Sequence, residues 1–497
     1  MSTLEINRFQ SSRSQGWDFW LLVIGGALLI RAPFLSYFGM SIDAYQNSQA
    51  LPQYSFLASQ GRQGWYVLMR LLDGLGMSGP IQQYADILIS VSLLCVASVL
   101  LWKSVFSNRK ELNAVIAIGT LMFIAHPYQA EILTFRDAAP FYAISALLGC
   151  AGYYLAISHG RLHFSVGVLM IVGGLTIYQT FINFLAIIWL IACLLYVAAP
   201  QTLRGFLRED LSKVLRMGLL AIVTSLVAYL ILIKSLDVIF AIRQDGRAQF
   251  VGWGDIPERA KYLMAVIFQM LKGDVIVHAP ITSFLTTALS VAGVATCFIA
   301  GRGRARFLWS PAIFVVMVLA SVGAIIVSHV FWPVPRVLVG YALLPAFGAI
   351  SLFLMTNNSK WQASIVCLCG ITIISYTAIG STVAADQIRV NRRDMLTASM
   401  IAERLSLVPH AHVAIVGSPD LAYGLTTRRG DMNLSAYFAM WSKTTALSEF
   451  LGYQIDPPTD AEFLLAKGYC ANAKVWPAPG STARLESGVE VVCFSAP

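Results

Sequence analysis

Carboxylates, arginines and tyrosines recur at the ends of this chain's apolar runs. Asp43 lies in "IDAYQN", just past the first run, with Tyr45 two residues on. Arg62 follows in "SQGRQGWYVLMRLL". Glu131, Arg136 and Asp137 stand close together in "HPYQAEILTFRDAAPFY". Tyr178 and Gln179 interrupt an apolar stretch in "IYQTFINF", and Arg336 follows two prolines in "HVFWPVPRVLVGY". A carboxylate can take the proton from an attacking hydroxyl. Arginine matches phosphate geometry with paired donors. Together these types suit displacement of a phosphate leaving group by a hydroxyl, and sugar transfer from a polyprenyl phosphate is one such reaction. Each also has a plainer reading. Asp43 can be a solvated loop carboxylate, and Arg136 with Asp137 a local ion pair that anchors the next span. Arg336 can snorkel to lipid head groups. Tyr178 can be an interfacial belt residue and Gln179 a polar group of the helix turn.

The elements that must position these residues follow from composition. Of 497 residues, 57% are hydrophobic and 12% charged, against about 25% charged in an ordinary soluble domain. This is the composition of a polytopic α-helical membrane protein. Apolar runs of about 20 residues cross a bilayer as helices, because only there are the backbone groups satisfied internally. About eleven transmembrane helices are expected, near 17–37, 81–102, 112–128, 139–158, 164–178, 180–199, 217–236, 281–300, 308–330, 337–356 and 362–383. Residues 1–16 are polar and the run after them is long enough to span, so a spanning helix is expected there and not a cleaved leader.

The net charge of +9 would suggest nucleic acid in a soluble protein. Here the positive residues gather in alternate loops: Arg8 and Arg13; Lys103, Arg109 and Lys110; Arg161; Arg204, Arg208, Lys213 and Arg216; Arg302, Arg304 and Arg306; Lys360. The positive-inside rule places these in the cytoplasm, with the N-terminus. The large loops 38–80 and 237–280, the shorter 129–138 and 331–336, and the tail 384–497 then lie outside. All the candidate residues share that face. A lipid-borne donor can be met there without a soluble nucleotide site, and the chain has no glycine-rich phosphate loop in a strand-to-helix context. Two outer stretches, 62–76 and 256–274, are amphipathic and can lie in the interface or pack on neighbouring spans.

Two domains are expected: a membrane domain over 1–383 and a small α/β module over 384–497. In the module, 389–405 reads as a helix, and "HVAIVGSPD" (412–420) and "GVEVVCF" (488–494) as strands. Six of the eight cysteines lie in apolar runs and read as small core residues. Cys470 and Cys493 lie in the tail; they can pair in an oxidising periplasm or remain two thiols. No Cys/His spacing suggests zinc.

The order of these pieces resembles the glucosyltransferase II-like family, the phage-type O-antigen glucosyltransferases of the GT-C superfamily. Four stretches carry the resemblance: "IDAYQN" with "SQGRQGWYVLMRLL", "HPYQAEILTFRDAAPFYAISALL", "GGLTIYQTFINFLAIIWL", and "NRRDMLTASMIAERLSLVPHAHVAIVGSP". They run from about residue 37 to 420. The family's first loop commonly has two adjacent acids and then a basic residue, where this chain has Ala44, Gln46 and Asn47. The resemblance implies inverting transfer of a hexose, glucose by expectation, from undecaprenyl phosphate to a periplasmic glycan such as O-antigen at the bacterial inner membrane. It implies Asp43 as the base and Asp137 as a second carboxylate that positions the acceptor or holds a metal. Arg62, Arg136 and Arg336 would bind the donor phosphate. Tyr45, Glu131, Tyr178 and Gln179 would contact substrate. No cofactor is demanded, although two carboxylates can hold Mg²⁺ or Mn²⁺. No nucleic-acid partner is implied.

A transporter or flippase for lipid-linked sugars is the alternative. It predicts charged residues deep within spans and internal repeats. Few of the former and no obvious repeat are seen, and the loop-rich outer face favours an enzyme. A structural partner in a polysaccharide assembly is a third reading.

Overall fold

The computed structural model describes residues 15–36, 39–43, 55–75, 83–158, 160–242, 245, 249, 251–272, 276, 279–300, 305–356, 358–419, 425–427 and 432–495. The first apolar run is helical but interrupted. α1 (Gln15–Trp20) passes through a π-turn at Leu21–Gly25 into α2 (Gly26–Ile30), and α3 (Ala32–Leu35) follows Arg31. The connection to the next long helix carries α4 (Ser55–Ser59) and α5 (Gln63–Gly74). Then come α6 (Gln83–Val105), α7 (Asn113–Ala125), α8 (Tyr128–Thr134), α9 (Ala139–Ser158), α10 (Gly160–Ile177) and α11 (Ile182–Ala198). A short α12 (Gln201–Arg204) leads to α13 (Leu211–Phe240), α14 (Ile256–Lys272), α15 (Pro280–Ala300), α16 (Ala305–Val322), α17 (Leu343–Met355) and α18 (Ser359–Leu405).

Among the described residues, seven helices are long and apolar enough to cross a membrane. α7 and α8 are bent apart by 58° and make an eighth if they form one broken span. Shorter apolar helices, Trp17–Ile30, Phe307–Val322 and Val339–Met355, fall where the first, ninth and tenth spans are expected. The long apolar stretch from 160 to 198 divides at Tyr178 into α10 and α11, as its length requires. α9 and α10 pack backbone to backbone where Gly152 faces Gly167; a Cβ on either would collide with the other's carbonyl oxygen. Small residues permit such close approach within a bilayer. α14 presents Val266 and Met270 inward while Tyr262, Met264 and Phe268 stay exposed. Its inward face packs on the neighbouring helices, the second of the two readings its amphipathic pattern allowed.

α18 departs from expectation. The expected last span and the expected tail helix are one continuous helix of 47 residues, so the expected domain boundary at 383 falls inside it. No proline or glycine follows Gly380 to break it before Leu405. At 1.5 Å per residue it is about 70 Å long, more than twice a hydrocarbon core of about 30 Å. Its C-terminal part therefore leaves the apolar layer and enters the module.

The module's sheet contains β1 (Val413–Val416), β2 (Thr482–Arg484) and β3 (Glu490–Cys493) in the order β1-β3-β2. β1 and β3 are parallel and β2 is antiparallel to β3. The two expected strands are β1 and β3; β2 is too short and polar to announce itself. Alternate residues face opposite sides. Val413 and Ile415 pack with Leu447 of α19 (Met440–Leu451) and with Ala398 and Ile401 of α18. Ala414 and Val416 pack with Ala466 of α20 (Asp460–Cys470). α20 opens with a reciprocal capping box between Thr459 and Glu462. Cys470 and Cys493 form a disulfide.

Candidate active site

The bend between α7 and α8 is made by Pro127, which cannot continue the hydrogen-bond ladder. Carbonyls at such a helix end need other donors. Arg31, fully buried at the break in the first segment, supplies them. It donates through Nε to the Ile124 carbonyl at 3.1 Å and through Nη2 to that of His126 at 2.9 Å. The break thus places the short α8 across the bundle with Glu131 on it.

Glu131 is completely buried. Its Oε1 accepts from Arg336 Nη1 at 2.8 Å, and its Oε2 accepts from the Arg336 backbone N–H at 2.5 Å. The guanidinium lies over the Phe135 ring, 4.5 Å from its centroid. A buried carboxylate demands such bonds, because desolvation otherwise penalises its charge. Two residues singled out for different roles are thus bonded to each other.

Arg136 is buried and donates through Nη2 to the Phe34 carbonyl at 2.6 Å, tying the end of α3 to the turn after α8. Asp137, next to it, is half-buried, as is Asp43. Asp86, near the start of α6, lies within electrostatic reach of both Asp137 and Arg136. Sequence reasoning missed Asp86 and Arg31. Each is a charged residue at the edge of an apolar run, a signal that could have marked it.

A second group forms at the tip between α10 and α11. Arg62 lies over the Tyr178 ring at 4.7 Å and the Trp65 ring at 5.4 Å. Gln179 donates through Nε2 to the carbonyls of Gln60 and Gly61, both at 3.2 Å, and to the Tyr229 hydroxyl at 2.9 Å. The loop before α5 and this tip are therefore locked together. Tyr142 joins the two groups. Its ring meets Tyr178 edge-on at 5.5 Å, and its hydroxyl donates to Gln129 on α8 at 3.3 Å.

On another side of α8 lies a cleft lined by His126, Tyr128, Tyr341, Thr286, Met270 and Ile276, among others. The His126 ring packs edge-on against Tyr128 at 4.7 Å and Tyr376 at 5.1 Å. Aromatic faces, hydroxyls and aliphatic side chains share this lining, the mixture common in ligand clefts. Tyr45, Ala44, Gln46 and Asn47 lie outside the described residues. Among the described residues no three acid, histidine or cysteine side chains converge as a metal cage.

The family model described as Glucosyl transferase GtrII matches residues 32–356. It begins beside Arg31 and ends at the close of α17, so α18 and the module lie beyond it. No match is found among curated proteins.

Proposed function

The chain belongs to the Glucosyl transferase GtrII family, and from that premise we propose that it moves a hexose, glucose by expectation, from a polyprenyl phosphate to a periplasmic glycan such as O-antigen. The family match over residues 32–356 is the observation that carries this reading. The apolar helices suit a lipid-borne donor. In the proposed topology the bent pair and the three shorter apolar helices also cross, the N-terminus is cytoplasmic, and the module is periplasmic at the inner membrane. The Cys470–Cys493 disulfide agrees with an oxidising compartment.

The reaction is a single displacement with inversion. The acceptor oxygen forms a bond to the anomeric carbon as the bond to the phosphate oxygen breaks. The acceptor proton passes to the Asp43 carboxylate. The polyprenyl phosphate leaves with the bonding pair, and its charge is met by Arg62, Arg136 and Arg336. Asp137, Tyr45, Tyr178 and Gln179 orient the sugars, while Glu131, buried and bonded to Arg336 and so not in the reach of substrate that the sequence suggested, acts by holding that guanidinium. A divalent ion, if bound at Asp137, would add charge at the leaving phosphate.

Purified full-length protein given undecaprenyl-phosphate-glucose and a glycan acceptor tests the reading. Glucose incorporation into the acceptor is expected. Translocation of the lipid across vesicles without any transfer would overturn the enzyme and favour a flippase.

A further inference from the structure

The short segment 39–43 that carries Asp43 is held from far along the chain. The Met40 backbone N–H donates to Asn391 Oδ1 at 3.1 Å, and Asn391 Nδ2 donates back to the Met40 carbonyl at 2.9 Å. One side-chain amide thus satisfies both backbone groups of one residue, as a neighbouring strand would. One turn earlier on α18, Gln387 donates to the Thr134 carbonyl at 3.0 Å, at the end of α8 and three residues before Asp137. Both contacts come from one face of one helix, at positions i and i+4.

The same part of α18 is clamped to the C-terminal module. Asp386 Oδ2 accepts from the backbone N–H groups of Thr426 and Thr427, both at 2.9 Å, and from their hydroxyls at 3.0 and 2.8 Å. Asp394 accepts from the Ser435 hydroxyl at 2.6 Å and the Ala436 N–H at 2.7 Å. These bonds bring Ala436 against the first loop. Met40 is buried in a small cluster with Ala436 and Ala446 of the module, and Phe450 packs beside it. Met40 is therefore fixed by its backbone to α18 and by its side chain to the module.

We infer that Asn391, with the module packed behind it, is a positioning residue that holds the Asp43 segment in its working place. Asn391 and the module lie outside the family match, and the module thereby acquires a task inside the transfer reaction. The inference rests on the reading of Asp43 as the base. A base must stand within hydrogen-bond reach of the proton it takes, and misplacement by about 1 Å can cost about 100-fold in rate. Asn391 touches the backbone three residues before that carboxylate and need not touch substrate.

The test is a double-mutant cycle on full-length protein, read as initial rates of glucose transfer from undecaprenyl-phosphate-glucose. Asn391→Ala should lower kcat by about 10- to 100-fold and leave the donor KM within about twofold. Asp43→Asn should leave a small residual rate, and adding Asn391→Ala to it should cost nothing more. An equal loss in both backgrounds, or a wild-type rate in Asn391→Ala, would overturn the positioning role and leave the base assignment standing. A wild-type rate in Asp43→Asn would instead overturn the base assignment, and the inference with it. Should Asn391→Ala fail to fold, Met40→Ala, which trims the contact with the module, carries the same cycle: a several-fold loss of kcat, absent in the Asp43→Asn background.

Discussion

Glu131 and Arg336, 205 residues apart in the chain, are joined twice: guanidinium to one carboxylate oxygen and backbone N–H to the other. The second bond fixes the backbone of the stiff corner after Pro333 and Pro335, which leads into α17. The pair is buried between α8 and that corner, so its loss is felt in folding as well as in any donor contact.

Arg336→Ala should therefore destabilise the fold by about 3–5 kcal/mol, because it removes the guanidinium to which a fully buried carboxylate is bonded. Glu131→Gln should cost less, since the amide oxygen still accepts from the Arg336 N–H. Denaturant titration of both variants in detergent checks this. If Arg336→Ala unfolds at the wild-type midpoint, the ion pair contributes no stability.

Arg62 is expected to depend on the ring of Tyr178 and not on its hydroxyl. Its guanidinium lies over that ring at 4.7 Å, an attraction of about 0.5–2 kcal/mol. Tyr178→Phe should keep the donor KM within about twofold, and Tyr178→Ala should raise it by about three- to thirtyfold. Equal effects of the two substitutions in donor titrations would assign the role to the hydroxyl.

Asp86 enters the site through charge. It lies within electrostatic reach of the Asp137 carboxylate and the Arg136 guanidinium. Asp86→Asn should lower kcat/KM for the acceptor by about tenfold if Asp137 orients that acceptor, and should leave the donor KM nearly unchanged. Acceptor and donor titrations of the one variant separate these effects.

The apolar runs were legible because hydropathy is a local property, and runs such as 139–158 and 180–199 coincide closely with α9 and α11. The candidate residues stood out in the sequence because each lies at the end of an apolar run. Their pairings did not. Glu131 and Arg336 carry no local mark of one another, and Asn391 and Met40 are 351 residues apart. α18 misled for a different reason. Its residues after 383 turn polar, which reads as the start of a separate module, yet helix propensity persists and the helix simply leaves the apolar layer. Arg31 was hidden in the first span because its partners are backbone carbonyls freed by a bend at Pro127, and that bend is a tertiary feature.

Lys443 gives the module a dependence on pH. Its ammonium is buried and donates to the carbonyls of Ile415 at 3.3 Å and Gly417 at 2.5 Å. Burial lowers its pKa from the usual 10.5 to about 8. Between those values the unfolded chain holds a proton that the folded module has released. Unfolding then takes up a proton, so stability rises with pH across this window and is lost as pH falls toward 8. The full excursion is at most about 3 kcal/mol. Lys443→Met removes the titrating group, while the tyrosines and other lysines remain common to both proteins. The melting temperature of the wild type should accordingly gain on that of Lys443→Met as pH is raised from 8 to 10. Parallel curves for the two proteins would show that Lys443 keeps an ordinary pKa despite its burial.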